Sequence, residues 1–386
     1  MTRIVILGAT GSIGRSALEV VARHPGRFEV VGLAANRSAH ALAEQVRQFR
    51  PREAVLCDGA VALPDEQGSD TRWSSGRDAM LAMAARPDVD VVLNALVGAA
   101  GLEPTLAALE AGHRLALANK ESLVAGGSLV IDAARRGGGE IVPIDSEHSA
   151  ILQCMEGHGV DAVQRVVLTA SGGAFRGRSA EELADVPAQA ALRHPTWDMG
   201  AKITIDSATL ANKALEVIEA HFLYGLGYDA IDAVVHPQSI IHSFVEFVDG
   251  SVLAQLGFPT MELPILYALG YPERIEDAAL RTFDPVRSSP LTFEPIDHDS
   301  FPMFALGVEA GRRGGRAPAV YNAGNEIAVQ AYLDQRIRFT DIAEIVRSTL
   351  DALGSEPVLT LDDVLAVDAA ARQTAGRLVD ERGAPE

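Results

Sequence analysis

Residues 3–14 read RIVILGATGSIG, and this stretch decides the fold. An apolar run from Arg3 to Leu7 stops at Gly8. A loop carrying Gly8, Gly11 and Gly14 follows, and an amphipathic helical pattern then continues to about Arg23. Strand, glycine-rich turn and helix, in that order, make the setting of a dinucleotide-binding βαβ unit. The glycines allow a tight turn and let the backbone approach a pyrophosphate at the helix N-terminus. The spacing, G-x-x-G-x-x-G, is one residue longer in its first gap than the usual fingerprint, so a glycine turn in some other βαβ unit remains the alternative.

Working outward, the next strand, Phe28 to Ala35, ends in Asn36-Arg37-Ser38. A site for NAD puts a carboxylate near this point to bind the ribose 2′-hydroxyl. Here an arginine with two small polar neighbours stands instead, which suits a 2′-phosphate and predicts NADPH. Further βα alternation follows: helix 39–49, strand 53–57, helix 77–85, strand 89–95, helix 102–111 and strand 114–118. Loops 8–14, 36–38, 94–101 and 119–122 all fall at the carboxyl ends of strands, where open parallel sheets bind ligands. Lys120 is therefore expected at the nicotinamide end of the cleft, with a solvated lysine as the alternative.

The strand 140–144 runs into Asp145-Ser146-Glu147. In an extended segment, side chains two apart project to one side, and paired carboxylates suit Mg²⁺ or Mn²⁺. The competing possibility is an acidic helix N-cap. A second polar cluster lies at 194–216, HPTWDMGAKITIDSATLANKALE. A helix is expected to begin after Asp206-Ser207, placing Asn212, Lys213 and Glu216 near one face. Serine, asparagine and lysine beside a helix N-terminus suit phosphate, leaving Glu216 for a metal; a solvated Lys–Glu pair is the alternative. Strand 165–170 ends in Ser171-Gly172-Gly173, a small-residue loop able to present N–H groups to an anion. Strands 232–236, 239–247 and 251–257 come next, then helix 263–269 and a proline-rich segment, 270–297. The remainder patterns as helices at 302–312, 318–334, 340–352 and 361–375, where Asn322, Asn325 and Glu326 are caps or interface contacts.

Composition bounds these assignments. A chain of 386 residues exceeds one simple core, so two or three domains are expected. The net charge of −19 argues against nucleic-acid partners, although local lysines still permit an anionic substrate. Cys57 and Cys154 are far apart and lack C-x-x-C spacing, consistent with buried thiols in a reducing compartment. With no targeting segment and no apolar run of about 20 residues, the expectation is a cytoplasmic protein without membrane partners.

Taken together, GATGSIG (8–14), ALANKESLVAGG (116–127), PIDSEHSA (143–150), TASGGAFR (169–176), the 194–221 stretch, HPQSIIHS (236–243), DGSVLAQLG (249–257) and APAVYNAGNEIAV (317–329) closely resemble the 1-deoxy-D-xylulose 5-phosphate reductoisomerase family over essentially the whole chain. The resemblance implies an α/β fold: an N-terminal Rossmann-like doubly wound domain (1–144), a central α+β catalytic domain (145–269), a linker (270–297) and a C-terminal helical domain (298–386). The catalytic domain would carry a mobile flap at about 194–202, in which Trp197 closes over substrate. The resemblance further implies that Thr10, Gly11, Ser12, Ile13, Asn36, Arg37, Ser38, Asn119, Glu121 and Gly200 bind NADPH. Asp145, Glu147 and Glu216 would bind Mn²⁺ or Mg²⁺, with Co²⁺ as an alternative. Ser171, His194, Ser207, Asn212 and Lys213 would hold the substrate phosphate, with Lys120 and Ser146 beside its reacting oxygens. Lys120, Glu147, His194 and Glu216 are the implied catalytic set, and a homodimer is the implied assembly. Three positions depart from the family pattern: Ala174, Ala211 and Glu262.

Overall fold

Continuous apolar runs build the first sheet. Its strands are β1 (Thr2–Leu7), β2 (Phe28–Ala35), β3 (Glu53–Leu56), β4 (Arg72–Ser75), β5 (Val91–Asn94), β6 (Arg114–Leu117) and β7 (Glu140–Pro143). They pair in the order β4-β3-β2-β1-β5-β6-β7, all parallel. Ile4 to Leu7 are wholly buried, as a parallel strand covered on both faces requires. The intervening helices are α1 (Ser12–Arg23), α2 (Ala39–Phe49), α3 (Arg77–Ala84), α4 (Leu102–Glu110), α5 (Lys120–Gly137) and α6 (Ser146–Met155). Leu7 pairs with Ala34 on one side and Asn94 on the other, Asn94 with Leu117, and Leu117 with Pro143. The carboxyl ends of β2, β1, β5, β6 and β7 are thus level, and their loops share one edge of the sheet. The strand order reverses at β1, the switch point where such sheets bind ligands.

Two local readings need correction here. Lys120 to Ser122 form the first turn of α5, not a loop, because Asn119 caps it: its side chain accepts from the Ser122 N–H. Likewise Asp145 and Glu147 do not lie on an extended segment. Ser146 and Glu147 open α6, and the Ser149 N–H donates to the Asp145 carbonyl at 2.8 Å. Edge strand β4 (RWSS) carries no strand signal in the sequence, being short and polar at three of its four positions.

The second sheet is mixed. It contains β8 (Val163–Ala170), β9 (Ile231–Val235), β10 (Ile241–Phe247) and β11 (Val252–Leu256) in the order β11-β10-β8-β9. Only β8 and β9 run parallel. The remaining helices are α7 (Ala180–Leu183), α8 (Ala188–Ala191), α9 (Ala201–Thr209), α10 (Ala211–Tyr224), α11 (Glu262–Gly270), α12 (Pro302–Arg313), α13 (Ala317–Leu333), α14 (Asp341–Leu353) and α15 (Leu361–Arg382). Every residue of α13 from Ala317 to Asn325 is buried, which marks it as the central helix of this part. α12 crosses α10 closely at Gly307, where a Cβ would stand 2.5 Å from that of Ala214. Asp206 and Ser207 lie inside α9 rather than ahead of a helix. The break comes at Leu210, left-handed with φ of 60°, and α10 starts after it.

The computed structural model describes residues 1–64, 70–197 and 199–382. Position 198 of the expected flap lies outside them, as do residues 65–69 and 383–386. By packing, the chain forms two compact units: Met1–Ser122, Ser128–Ser149 and Thr260–Leu280 make the first, and Leu123–Gly127, Ala150–Pro259 and Arg281–Glu386 the second. Within the first unit, α11 and the residues after it are fastened to α1. Arg23 pairs with Glu262 at 2.6 Å and with Asp277 at 2.9 Å, and His24 reaches Asp277 at 3.2 Å. Glu262 therefore has a local reason: an arginine there would oppose Arg23. No helix among the described residues is long and apolar enough to cross a membrane.

Candidate active site

In the first unit the glycine loop is shaped by steric necessity. Gly8 has φ of 84°, and a Cβ on it would meet the Ala95 carbonyl oxygen at 2.5 Å. A Cβ on Gly14 would meet the Gly8 oxygen at 2.4 Å. Gln45 donates to the Ala9 carbonyl at 2.9 Å and steadies the turn. α1 starts at Ser12 with Gly11 as N-cap and no side-chain cap, so its first N–H groups and its positive dipole end suit an anion. Thr10 to Ile13 lie at this end. At the next strand end, Arg37 is largely exposed and its Nε donates to Asp58 at 2.6 Å, leaving the outer nitrogens of the fork toward solvent. The Ala60 N–H and then Arg37 hold the Asp58 carboxyl below its ordinary value. Asn36 and Ser38 flank the arginine.

At the ends of β5 and β6 the polar groups are tied together. Asn94 donates to Gly101 O and Thr105 Oγ1, each at 2.9 Å, and Thr105 reaches Ser122 Oγ at 3.2 Å. Asn119 donates to Leu96 O at 2.9 Å, Gly98 O at 3.0 Å and Glu121 at 2.9 Å. The Asn119 side chain is thus spent on building the edge of the cleft. Beside it, Lys120 pairs with Asp145 at 2.6 Å, the two side chains being 8% and 12% exposed. Ser146 Oγ donates to Glu147 at 2.5 Å. Both carboxylates stand at the N-terminus of α6, where the dipole favours negative charge.

The second unit holds the other residues. His194 Nδ1 accepts from the N–H groups of Thr196 and Trp197 at 3.1 and 2.9 Å, so the proton of the neutral ring sits on Nε2. That nitrogen lies 3.0 Å from Ser171 Oγ and 3.1 Å from Ser207 Oγ. Burial holds the His194 pKa below its ordinary value, keeping the ring neutral. Gly173 permits this closeness: at φ of 67° its Cβ would strike the Ser207 carbonyl oxygen at 2.5 Å. On α10, Glu216 is 1% exposed, accepts from Asn212 at 2.5 Å and forms a short ion pair with Lys213. The pair is buried rather than solvated. Gly200 is the exposed N-cap of α9. Trp197 is half-buried.

Each unit thus offers carboxylate oxygens, one of them paired with a lysine (Asp145 with Lys120, Glu216 with Lys213), and hard oxygen donors are what Mg²⁺ and Mn²⁺ prefer. Two buried polar residues were not singled out from sequence as a pair. Asp206 pairs with Lys202 at 2.7 Å and accepts from Asn325 at 2.8 Å. Tyr321 is fully buried, and desolvation first and the Asp206 charge second hold its pKa well above the ordinary phenol value. The i, i+4 spacing of Lys202 and Asp206 was the available signal; Asn325, 119 residues further on, gave none.

Three family models match the chain: 1-deoxy-D-xylulose 5-phosphate reductoisomerase over residues 4–127, its C-terminal domain over 141–224, and the DXP reductoisomerase C-terminal domain over 256–374. A 1-deoxy-D-xylulose 5-phosphate reductoisomerase of Ralstonia pickettii (strain 12J) is 52% identical over 390 residues, covering 98% of each chain. One of Nocardia farcinica (strain IFM 10152) is 53% identical over 383 residues, covering 98% of this chain and 95% of its own. Among solved structures, the Zymomonas mobilis reductoisomerase in complex with NADPH superposes with a TM-score of 0.92 at 43% identity, covering 98% of this chain and 99% of its own. A DOX-P reductoisomerase in complex with NADPH, fosmidomycin and magnesium gives 0.91 at 39% identity, covering 99% of this chain and 100% of its own.

Proposed function

The chain belongs to the 1-deoxy-D-xylulose 5-phosphate reductoisomerase family, and on that premise we propose how its residues divide the work. It is an NADPH- and divalent-metal-dependent oxidoreductase that isomerises and reduces 1-deoxy-D-xylulose 5-phosphate to 2-C-methyl-D-erythritol 4-phosphate in isoprenoid precursor biosynthesis. When bound, the metal supplies Lewis acidity at the ketose oxygens and NADPH supplies hydride.

Thr10, Gly11, Ser12 and Ile13 cradle the cofactor pyrophosphate at the start of α1, and Asn36, Arg37 and Ser38 take its 2′-phosphate. Glu121, Gly200 and the backbone of Asn119 complete the cofactor contacts. Asp145, Glu147 and Glu216 hold the metal. The observation that carries this assignment is Glu216, a carboxylate 1% exposed and kept charged by Asn212 and Lys213. Such a group is costly to bury without a purpose. Ser171, His194 and Ser207, with Asn212 and Lys213, clamp the substrate phosphate, whose binding energy drives closure of the 194–202 segment and of Trp197 over the sugar. Lys120, its charge fixed by Asp145, stabilises developing negative charge on a reacting oxygen, and Ser146 orients its neighbour.

Incubating the protein with 1-deoxy-D-xylulose 5-phosphate, NADPH and Mn²⁺ should consume the cofactor absorbance; EDTA should stop the reaction and added Mn²⁺ restore it. Turnover that survives EDTA would mean a simple NADP-dependent dehydrogenase. Cofactor binding without oxidation would mean a silent NADPH-binding protein. We also propose a cytoplasmic homodimer. The outer edge of β11, with Val252 and Leu253 exposed, supports self-association, and sedimentation should return twice the 40.8 kDa chain mass.

A further inference from the structure

Two neighbouring polar residues of α9 face different tasks. Ser207 reaches His194 at 3.1 Å. Asp206, 1% exposed, turns to α13, where its Oδ1 accepts from the wholly buried Asn325 at 2.8 Å. Its Oδ2 pairs with Lys202, one turn earlier, at 2.7 Å. Asn325 Oδ1 has no hydrogen-bond partner among the described residues, so Asp206 sets the orientation of that amide. A carboxylate so buried is tolerated only when its partners are in place.

Successive residues on an α-helix are about 100° apart. Anchoring Asp206 against α13 therefore fixes the direction in which Ser207 leaves the helix. The same anchor sits three residues before Thr209, whose hydroxyl donates back to the Asp206 carbonyl at 3.2 Å. Leu210, held left-handed, comes next. The rotation of α9 is thus set from its buried side while its other side forms the phosphate clamp.

We propose that Asp206 and Asn325 are positioning residues for substrate phosphate: their buried hydrogen bond holds α9 in the rotation that keeps Ser207 on His194. This rests on the assignment of Ser171, His194 and Ser207 to the phosphate. Neither residue touches the ligand; both act through Ser207.

The decisive variants are Asn325→Asp, which sets two carboxylates against each other, and the swapped double variant Asp206→Asn/Asn325→Asp, which restores one amide opposite one carboxylate. Wild-type protein comes first: it must turn over the sugar phosphate and be inhibited competitively by inorganic phosphate. If it is not inhibited, the phosphate assignment itself fails, whatever the variants do. In Asn325→Asp the KM for sugar phosphate and the Ki for inorganic phosphate should both rise about tenfold. The KM for NADPH and kcat should stay within about twofold of wild type. The swapped variant should recover at least half of the rise on a logarithmic scale. If Asn325→Asp does not fold, Asn325→Ser removes the bond without adding charge and is read in the same way. Wild-type KM and Ki in the single variant, with only the melting temperature lowered, would reduce the pair to a packing role and overturn the proposal. So would a double variant no better than the single.

Discussion

Glu216 and His194 illustrate how burial changes what an ordinary residue can do. A glutamate four residues after an asparagine on a surface helix would be a weak partner in water. With 1% of its surface exposed, Glu216 stays ionised because Asn212 donates to one oxygen and Lys213 pairs with the other. Glu216→Gln keeps the shape and removes the charge. Turnover should fall by roughly 100-fold or more, as for loss of a metal ligand, while NADPH titration by fluorescence remains near wild type; near-normal turnover at ordinary metal concentration would refute the assignment. His194 works as a fixed neutral donor, since protonating Nδ1 would displace the Thr196 and Trp197 N–H groups. His194→Ala should raise the KM for sugar phosphate about tenfold, with the KM for NADPH unchanged.

At the scale of elements, two helices depend on glycines that nothing else can replace. A Cβ on Gly14 would strike the backbone of Gly8 and Ala9 at 2.4 and 2.6 Å, and backbone cannot step aside as a side chain can. Gly14→Ala should cost about 1–3 kcal/mol of stability and weaken NADPH binding, while inhibition by inorganic phosphate persists. Calorimetry and cofactor titration separate the two effects. Gly127 interrupts α5 at φ of 37° and ψ of −111°, with the Phe222 ring 2.6 Å from where a Cβ would be. Gly127→Ala should likewise lower the melting temperature, and adding Phe222→Leu should recover part of the loss. Strand alternation, the glycine turn and the C-terminal helices were legible because each carries its own period or punctuation. The starts of α5 and α6 were not. Only two residues separate each from the strand before it, Ala118-Asn119 and Ile144-Asp145, and the Asn119 cap looks in sequence like the end of a loop.

Across the whole molecule, acid should unfold the protein through its buried histidines before its carboxylates matter. Desolvation lowers the pKa of His113, His194 and His236 from an ordinary 6.5 in the folded chain. The unfolded chain therefore binds protons that the native one refuses, and stability falls as pH drops below 6.5 toward the folded values. Unfolding calorimetry between about pH 7 and 5 should show net proton uptake on unfolding; a stability flat across that window would contradict the burial of these histidines. The salt-bridged Asp88, held at about 2, loses its contribution only much lower.

By itself the sequence determined the parallel, dinucleotide-binding sheet of the first unit and marked the residues proposed to carry the chemistry, since these follow from periodicity and residue type within short windows. It also carried a resemblance long enough to imply the family. What only the tertiary structure decided is where distant residues spend their hydrogen bonds. Thr260–Leu280 returns to pack with the first unit through Arg23 and His24, a connection that no linear division into consecutive segments contains. Asp206 finds Asn325 across 119 positions. RIVILGATGSIG is read from its neighbours along the chain, whereas a buried carboxylate is read from whatever folding places beside it, because its charge survives only if donors arrive to replace the water it has lost.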